Sequence, residues 1–102
     1  MKIAIASETK DIKSQVSPVA GRTPYYLIFE DEKMIKAIKN PFRMGGGGAG
    51  FGVADMMKEE GVEFLVSGSI GDNMKGALEG SGIEYREISD KSVEDVLGEI
   101  NS

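Results

Sequence analysis

Met1-Lys2-Ile3-Ala4-Ile5-Ala6-Ser7 opens the chain. Ile3 and Ile5 alternate with Ala4 and Ala6, so an extended backbone here is apolar on both faces. A short strand of that kind reads as buried on both faces. The apolar run is also too short for a signal peptide.

Working outward, residues 8–24 are polar and contain Pro18, Gly21 and Pro24. That length exceeds the common loop range of about 12–15 residues, and such loops are usually functional or disordered. Tyr25 to Glu30 reads as a second apolar strand and Lys33 to Lys39 as a third, with Lys33, Lys36 and Lys39 turned to solvent. The acidic tip Asp31-Glu32 makes the two a β-hairpin, and Asn40-Pro41 ends it. Gly45, Gly46, Gly47, Gly48, Gly50 and Gly52 form a flexible segment. A helix is expected from about Phe51 to Glu60, with Val53, Ala54 and Met57 on its apolar face and Gly61 as its stop. Glu63 to Ser67 reads as a buried strand, Gly68 to Gly71 as a tight turn that needs positive φ, and Asp72 or Asn73 as the cap of a helix carrying Met74, Ala77 and Leu78. Ile83 to Ile88 is a fifth strand. Ser92 caps a last helix whose Val93, Val96, Leu97 and Ile100 fall at i, i+3, i+4 and i+7.

The order is β-β-β-α-β-α-β-α over one domain, residues 1–102, with no linker and no internal repeat. If the first three strands pair antiparallel and the helical crossovers are right-handed, strands one, three, four and five all end on one rim. The 8–24 loop, the glycine segment and the 67–72 turn then meet there, at the carboxyl ends of strands, where open α/β sheets bind ligands.

Composition excludes several classes of function. The 102 residues carry a formal net charge of −5, and no Lys/Arg stripe offsets it, so no nucleic-acid face is expected. No run of about 18 apolar residues exists to span a membrane, and a cytoplasmic protein, monomeric or weakly self-associating, is expected. Cysteine and histidine are both absent. The chain thus lacks thiolate nucleophiles, imidazole bases and the usual ligands of zinc and iron–sulfur clusters. Ser7, Ser67 and Ser69 have no histidine partner, no spacing singles out a Ser–Lys pair, and strand one carries no carboxylate. The chain is therefore read as not an enzyme, and a small hydrolase using carboxylates is the least favoured reading.

The motifs admit structural and functional readings side by side. Gly45, Gly47 and Gly50 satisfy G-x-G-x-x-G only because a glycine run always does, and Asn40 to Met44 separate them from a strand. Phe51 and Gly52 stand where a Walker A motif requires Lys and Ser/Thr. The glycine run is either a mobile surface loop or a backbone that approaches a bulky ligand closely. Gly68, Ser69, Gly71 and Asn73 surround a helix N-terminus that could receive an anion, although Asp72 can occupy the same donors. Gly21-Arg22 ends the long loop, and Arg22 could grip an anion with its planar fork or pair with one of the acidic residues. Tyr25 could be core with a hydrogen-bonded hydroxyl. Met44 is the one methionine to test as a metal ligand; the others read as core fillers.

Taken together, Met1-Lys2-Ile3-Ala4-Ile5, Gly21-Arg22-Thr23-Pro24-Tyr25-Tyr26, the glycine loop, Gly61-Val62, Val66 to Asn73, Gly82-Ile83 and Ser92-Val93-Glu94-Asp95 resemble, in order and spacing, the dinitrogenase iron–molybdenum cofactor biosynthesis family of NifX and NafY type. The family also includes the C-terminal domain of NifB. The resemblance implies a ribonuclease H-like three-layer fold with a five-stranded mixed sheet and helices on both faces. It implies non-catalytic carriage of iron–molybdenum cofactor or a precursor cluster, with cofactor-maturation proteins as partners. Many relatives place a histidine just before the Gly-Arg pair, where this chain has Val19 and Ala20. A cluster would therefore be held as an anion, at Gly21, Arg22, Gly45 to Gly48, Gly68, Ser69, Gly71 and Asn73, with no metal ligand assigned. The alternative is a protein-interaction module of the same fold that has lost cluster binding, using the loop rim or the exposed strand at Lys33 to Lys39.

Overall fold

The computed structural model describes residues 1–44 and 49–101. The expected flexibility of Gly45 to Gly48 lies outside the described residues. Strands β1 (Lys2–Ser7), β2 (Tyr25–Glu30), β3 (Lys33–Lys39), β4 (Phe64–Ser67) and β5 (Glu84–Glu87) form one mixed sheet in the order β3-β2-β1-β4-β5. β1 pairs antiparallel with β2 and parallel with β4; β2 pairs antiparallel with β3, and β4 parallel with β5. This is the expected ribonuclease H-like arrangement.

The alternation in β1 sorts its side chains between two cores. Ala4 and Ala6 pack with Tyr26, Ile28 and Leu65 under helices α1 (Ala49–Glu59) and α2 (Asp72–Gly80). Ile3 and Ile5 pack with Leu27, Phe29 and Val66 under helix α3 (Val93–Ile100). Small residues face the layer with two helices, and β-branched residues face the single helix. Burying a large side chain in either core stabilises the fold by about 1.5–3 kcal/mol.

α1 and α2 close in the same way. Gly61 has φ +76° and Gly82 has φ +74°. After α1, Gly61 N–H donates to Lys58 O at 3.1 Å and Val62 N–H to Met57 O at 3.0 Å; after α2, Gly82 N–H donates to Glu79 O at 3.1 Å and Ile83 N–H to Leu78 O at 2.9 Å. These are Schellman closures, in which glycine takes the left-handed position and the next apolar residue returns to the core. Val62 and Ile83 are both buried. At the start of α3, Ser92 Oγ accepts from Asp95 N–H at 3.1 Å, as expected of a cap.

Three expectations need correction. α1 begins at Ala49, so Gly50 and Gly52 are helical rather than part of a flexible segment. The cap of α2 is Gly71, with no side-chain hydrogen bond; Asp72 and Asn73 stand in the first turn. Gly71 has φ −68° and Gly68 is not among the positive-φ glycines, so the 68–71 turn needs no left-handed backbone.

The β2–β3 hairpin turns through Asp31 at φ 52° and Glu32 at φ 68°. Aspartate tolerates this region, whereas glutamate there costs about 1 kcal/mol. Glu32→Gly should therefore raise stability by about 0.5–1 kcal/mol in urea denaturation, after the entropy of the freer unfolded chain is subtracted. A loss of stability would contradict a strained tip.

Candidate functional site

The carboxyl ends of β1, β4 and β5 share one rim with the start of β2 and the end of β3. The loop after β1 crosses this rim as a strap. Ser17 N–H donates to Ala6 O at 3.0 Å; Gly68 N–H then donates to Ser17 O at 2.9 Å, Ser69 N–H to Pro18 O at 2.7 Å, and Ala20 N–H to Ser69 O at 2.9 Å. Gly68 is required by proximity: a Cβ there would lie 2.5 Å from Pro18 O. The strap ends in a 3-10 turn, Ala20–Arg22.

Buried polar groups pin that turn from below. Tyr26 Oη donates to Ala20 O at 2.5 Å. Burial raises the Tyr26 phenol far above the usual tyrosine value, so it stays a neutral donor. Thr23 Oγ1 is 2.6 Å from Ser17 Oγ and 3.0 Å from Ser7 O. Asn40 Nδ2 donates to Gly21 O at 3.2 Å and Thr23 O at 3.0 Å, while its Oδ1 accepts from Phe42 N–H at 2.9 Å. Asn40, expected only to end a strand, thus joins the third strand's exit to the turn that carries Arg22.

Helices α1 and α2 meet beside it. A Cβ on Gly50 would lie 2.9 Å from the Met74 backbone, and one on Gly52 would lie 2.5 Å from the Phe42 ring. The Gly21 Cα faces the same methionine, its added Cβ being 3.8 Å from Met74 Cε. The stretches around Arg22, the start of α1 and Ser69 are therefore neighbours on one rim.

The site residues expected from sequence divide into groups. Gly68 is buried, and its N–H, like that of Ser69, is spent on the strap. Ile70 N–H donates to Glu87 Oε2 at 2.7 Å, and Lys75 Nζ stands 3.7 Å from the same oxygen. Arg22, Ser69, Gly71 and Asn73 are exposed, and Gly21 is half-buried. Among the described residues Arg22 has no ion-pair partner. Gly45 to Gly48 lie outside the described residues. Val19, Met44 and Phe51 expose apolar side chains on the segments that build the rim. Tyr25 is only partly buried, under Lys10 Nζ at 5.7 Å from its ring; the core tyrosine is Tyr26. The period of two along β2 does not tell them apart, since Tyr26 shares a buried face with Ile28 and Tyr25 shares one with Leu27 and Phe29. Among the described residues no group of three Asp, Glu, His or Cys is placed to hold a metal ion.

The family model for dinitrogenase iron–molybdenum cofactor proteins matches residues 1–102. The chain belongs to that family. Solved structures show the family's fold in this chain. The apo orange protein of Desulfovibrio gigas superposes with a TM-score of 0.90 at 21% identity, covering 98% of this chain and 86% of that one. An NMR structure of a candidate NifB protein from Thermotoga gives 0.83 at 24% identity, covering 98% and 86%. A candidate dinitrogenase from Methanocaldococcus jannaschii gives 0.67 at 16% identity, again covering 98% and 86%. None of the curated proteins compared with the chain matches it. No helix among the described residues is long and apolar enough to cross a membrane.

Two measurements probe how the rim is held. Removing the Tyr26 hydroxyl leaves Ala20 O short of a buried donor, so Tyr26→Phe should lose about 1–2 kcal/mol at neutral pH. The raised phenol value adds a pH signature. Its contribution is complete below the unfolded tyrosine value near 10, and it fades as pH rises from there toward the folded value. The alkaline loss of stability should be smaller in Tyr26→Phe, measured by urea denaturation across pH 9–11, and an unchanged slope would remove Tyr26 as its source.

Ser67 and Gly68 give opposite results at adjacent positions. Ser67 Oγ is buried without a hydrogen-bond partner. Ser67→Ala should be neutral or stabilising by up to about 1 kcal/mol, because it deletes an unsatisfied group. Gly68→Ala should destabilise by about 1–3 kcal/mol, because Pro18 must move. Equal effects in thermal melts would contradict the packing described.

Proposed function

We propose that this chain is a non-enzymatic binding protein of cofactor maturation that holds an anionic cargo, iron–molybdenum cofactor or a precursor cluster, on the loop rim. The observation that carries the reading is convergence. The turn bearing Arg22, the N-terminus of α2 and the start of α1 adjoin one another, locked by Ala20 N–H to Ser69 O at 2.9 Å and by the Gly50–Met74 contact. Arg22 supplies a planar cationic fork. The first turn of α2, at Gly71 to Asn73, supplies N–H groups with no intrahelical acceptor. Gly45 to Gly48 stand in the chain immediately before α1 and complete the proposed ligand segment.

The chain has no histidine and no cysteine, so the cargo is held by charge and hydrogen bonds rather than by ligation of its metals. Such contacts exchange readily, which suits transfer more than storage. The natural partners are the maturation proteins that give and take the cargo, and that work places the chain in the cytoplasm.

Anaerobic titration of the ¹⁵N-labelled protein with isolated iron–molybdenum cofactor tests the reading. Amides of Arg22, Gly50 and Ser69 to Asn73 should shift, and those of α3 should not. Arg22→Ala should weaken binding about 10–100-fold, the loss of one charge-assisted contact. Undisturbed rim amides, or an Arg22→Ala variant that binds equally well, would refute it. Sulfate at matched ionic strength separates cluster binding from general anion binding.

A further inference from the structure

The open edge formed by β3 carries chemistry that the rim does not use. Among the described residues β2 is its only strand neighbour. An edge strand directs half of its backbone N–H and C=O groups outward, where another chain can pair with them. Every residue of Lys33–Lys39 is exposed except Ile38, which is partly buried. Lys33, Lys36 and Lys39 make the strand basic, with no carboxylate among its seven residues, on a chain whose net charge is −5. Only Lys36 is neutralised, by Glu60 at 2.8 Å; Lys33 and Lys39 have no ion-pair partner among the described residues.

Lysines on an edge commonly serve to repel other strands. Two features go beyond repulsion. Met34 and Ile35, side by side on the strand, remain 41% and 46% exposed, and apolar surface beside a row of cations is what a partner, not water, stabilises. The ladder with β2 also skips Ile35: Lys36 pairs with Ile28 and Met34 with Phe29. The bulge leaves Ile35 with no place in the intramolecular register. A second copy of this chain is a poor occupant. Pairing two β3 edges would bring six lysines together with no carboxylate on either strand, and like charges across strands are destabilising.

We infer that the β3 edge is a docking strand for an acidic, extended segment of a partner protein, which adds to the sheet as a sixth strand and sets one carboxylate against Lys33 on one face and another against Lys39 on the opposite face. Main-chain pairing provides the affinity, and the charge pattern with Met34 and Ile35 selects the partner. The β3 edge meets the cargo rim only at its Lys39 end.

The test uses a ten-residue Glu/Val peptide with two glutamates five positions apart, so that they fall on opposite faces of the added strand, a matched Lys/Val peptide, and the Glu/Val peptide interrupted by proline. The Glu/Val peptide should shift β3 amides and slow exchange of those not bonded to β2, with an affinity that falls as salt is added. The K33E/K39E variant keeps the Lys36–Glu60 pair. It should lose at least tenfold in affinity for Glu/Val and gain affinity for Lys/Val, with an unchanged far-UV spectrum and melting profile. K33Q/K39Q should fall between. Equal binding of the proline-interrupted peptide would reduce the effect to unspecific charge attraction and overturn strand addition. So would a dimer seen by sedimentation in the absence of peptide, or a K33E/K39E variant that is folded yet binds Glu/Val undiminished.

Discussion

Everything on the rim depends on a backbone strap laid over a glycine. Gly68 N–H donates to Ser17 O at 2.9 Å, and Pro18 occupies the space a side chain at position 68 would fill. The loop after β1 would otherwise be a long excursion with a large choice of conformations. The strap pairs it with the end of β4, a pairing that the isolated bridge Val19–Ser69 extends, while the bridge Ser7–Val16 ties its start to the end of β1. Sixteen to twenty thus behaves as a strand-like continuation of the sheet, and only the short turn that follows it projects. Arg22 rides on that turn, so its placement is set by hydrogen bonds made several residues away.

The consequences reach the helices. Because the strap takes the N–H groups of Gly68 and Ser69, and Glu87 takes that of Ile70, the turn between β4 and α2 is satisfied internally before any ligand arrives. Satisfied buried donors make a rigid turn. They also move the free donors one step outward, to the first turn of α2. The proposed anion site is therefore assigned to the helix that follows and not to the Gly-Ser-Ile-Gly turn itself. Glu87 acts there as a built-in anion, held also near Lys75.

Much of this was legible in the sequence, and the reasons for the rest are physical. The burial of β1 on both faces was readable because neither set of its alternating side chains is polar. Gly61-Val62 and Gly82-Ile83 were readable as helix ends, since a glycine followed by an apolar residue is what a Schellman closure needs. The glycines at 50, 52 and 68 were misread for the opposite reason. They are selected by what presses against them, Met74, Phe42 and Pro18, and those neighbours are distant in sequence. Local reading can see a backbone's own dihedral demands; it cannot see a contact partner. Asn40 and Thr23 were missed on the same grounds, since a buried polar side chain and a loop one look alike until their partners are in place.

The absence of histidine and cysteine takes its meaning from this architecture. A site that ligates a metal needs side chains of fixed rotamer converging on one point. The rim instead offers backbone donors at a helix start, one cationic fork on a pinned turn, and apolar Val19, Met44 and Phe51 on the surrounding segments. Such a surface discriminates by charge and size more than by coordination geometry. In the proposed function it holds its cargo without ligating it, so a partner that can ligate has the stronger claim on that cargo. A rim held rigid by the strap, and weak by the lack of ligands, fits the giving side of a transfer better than its end.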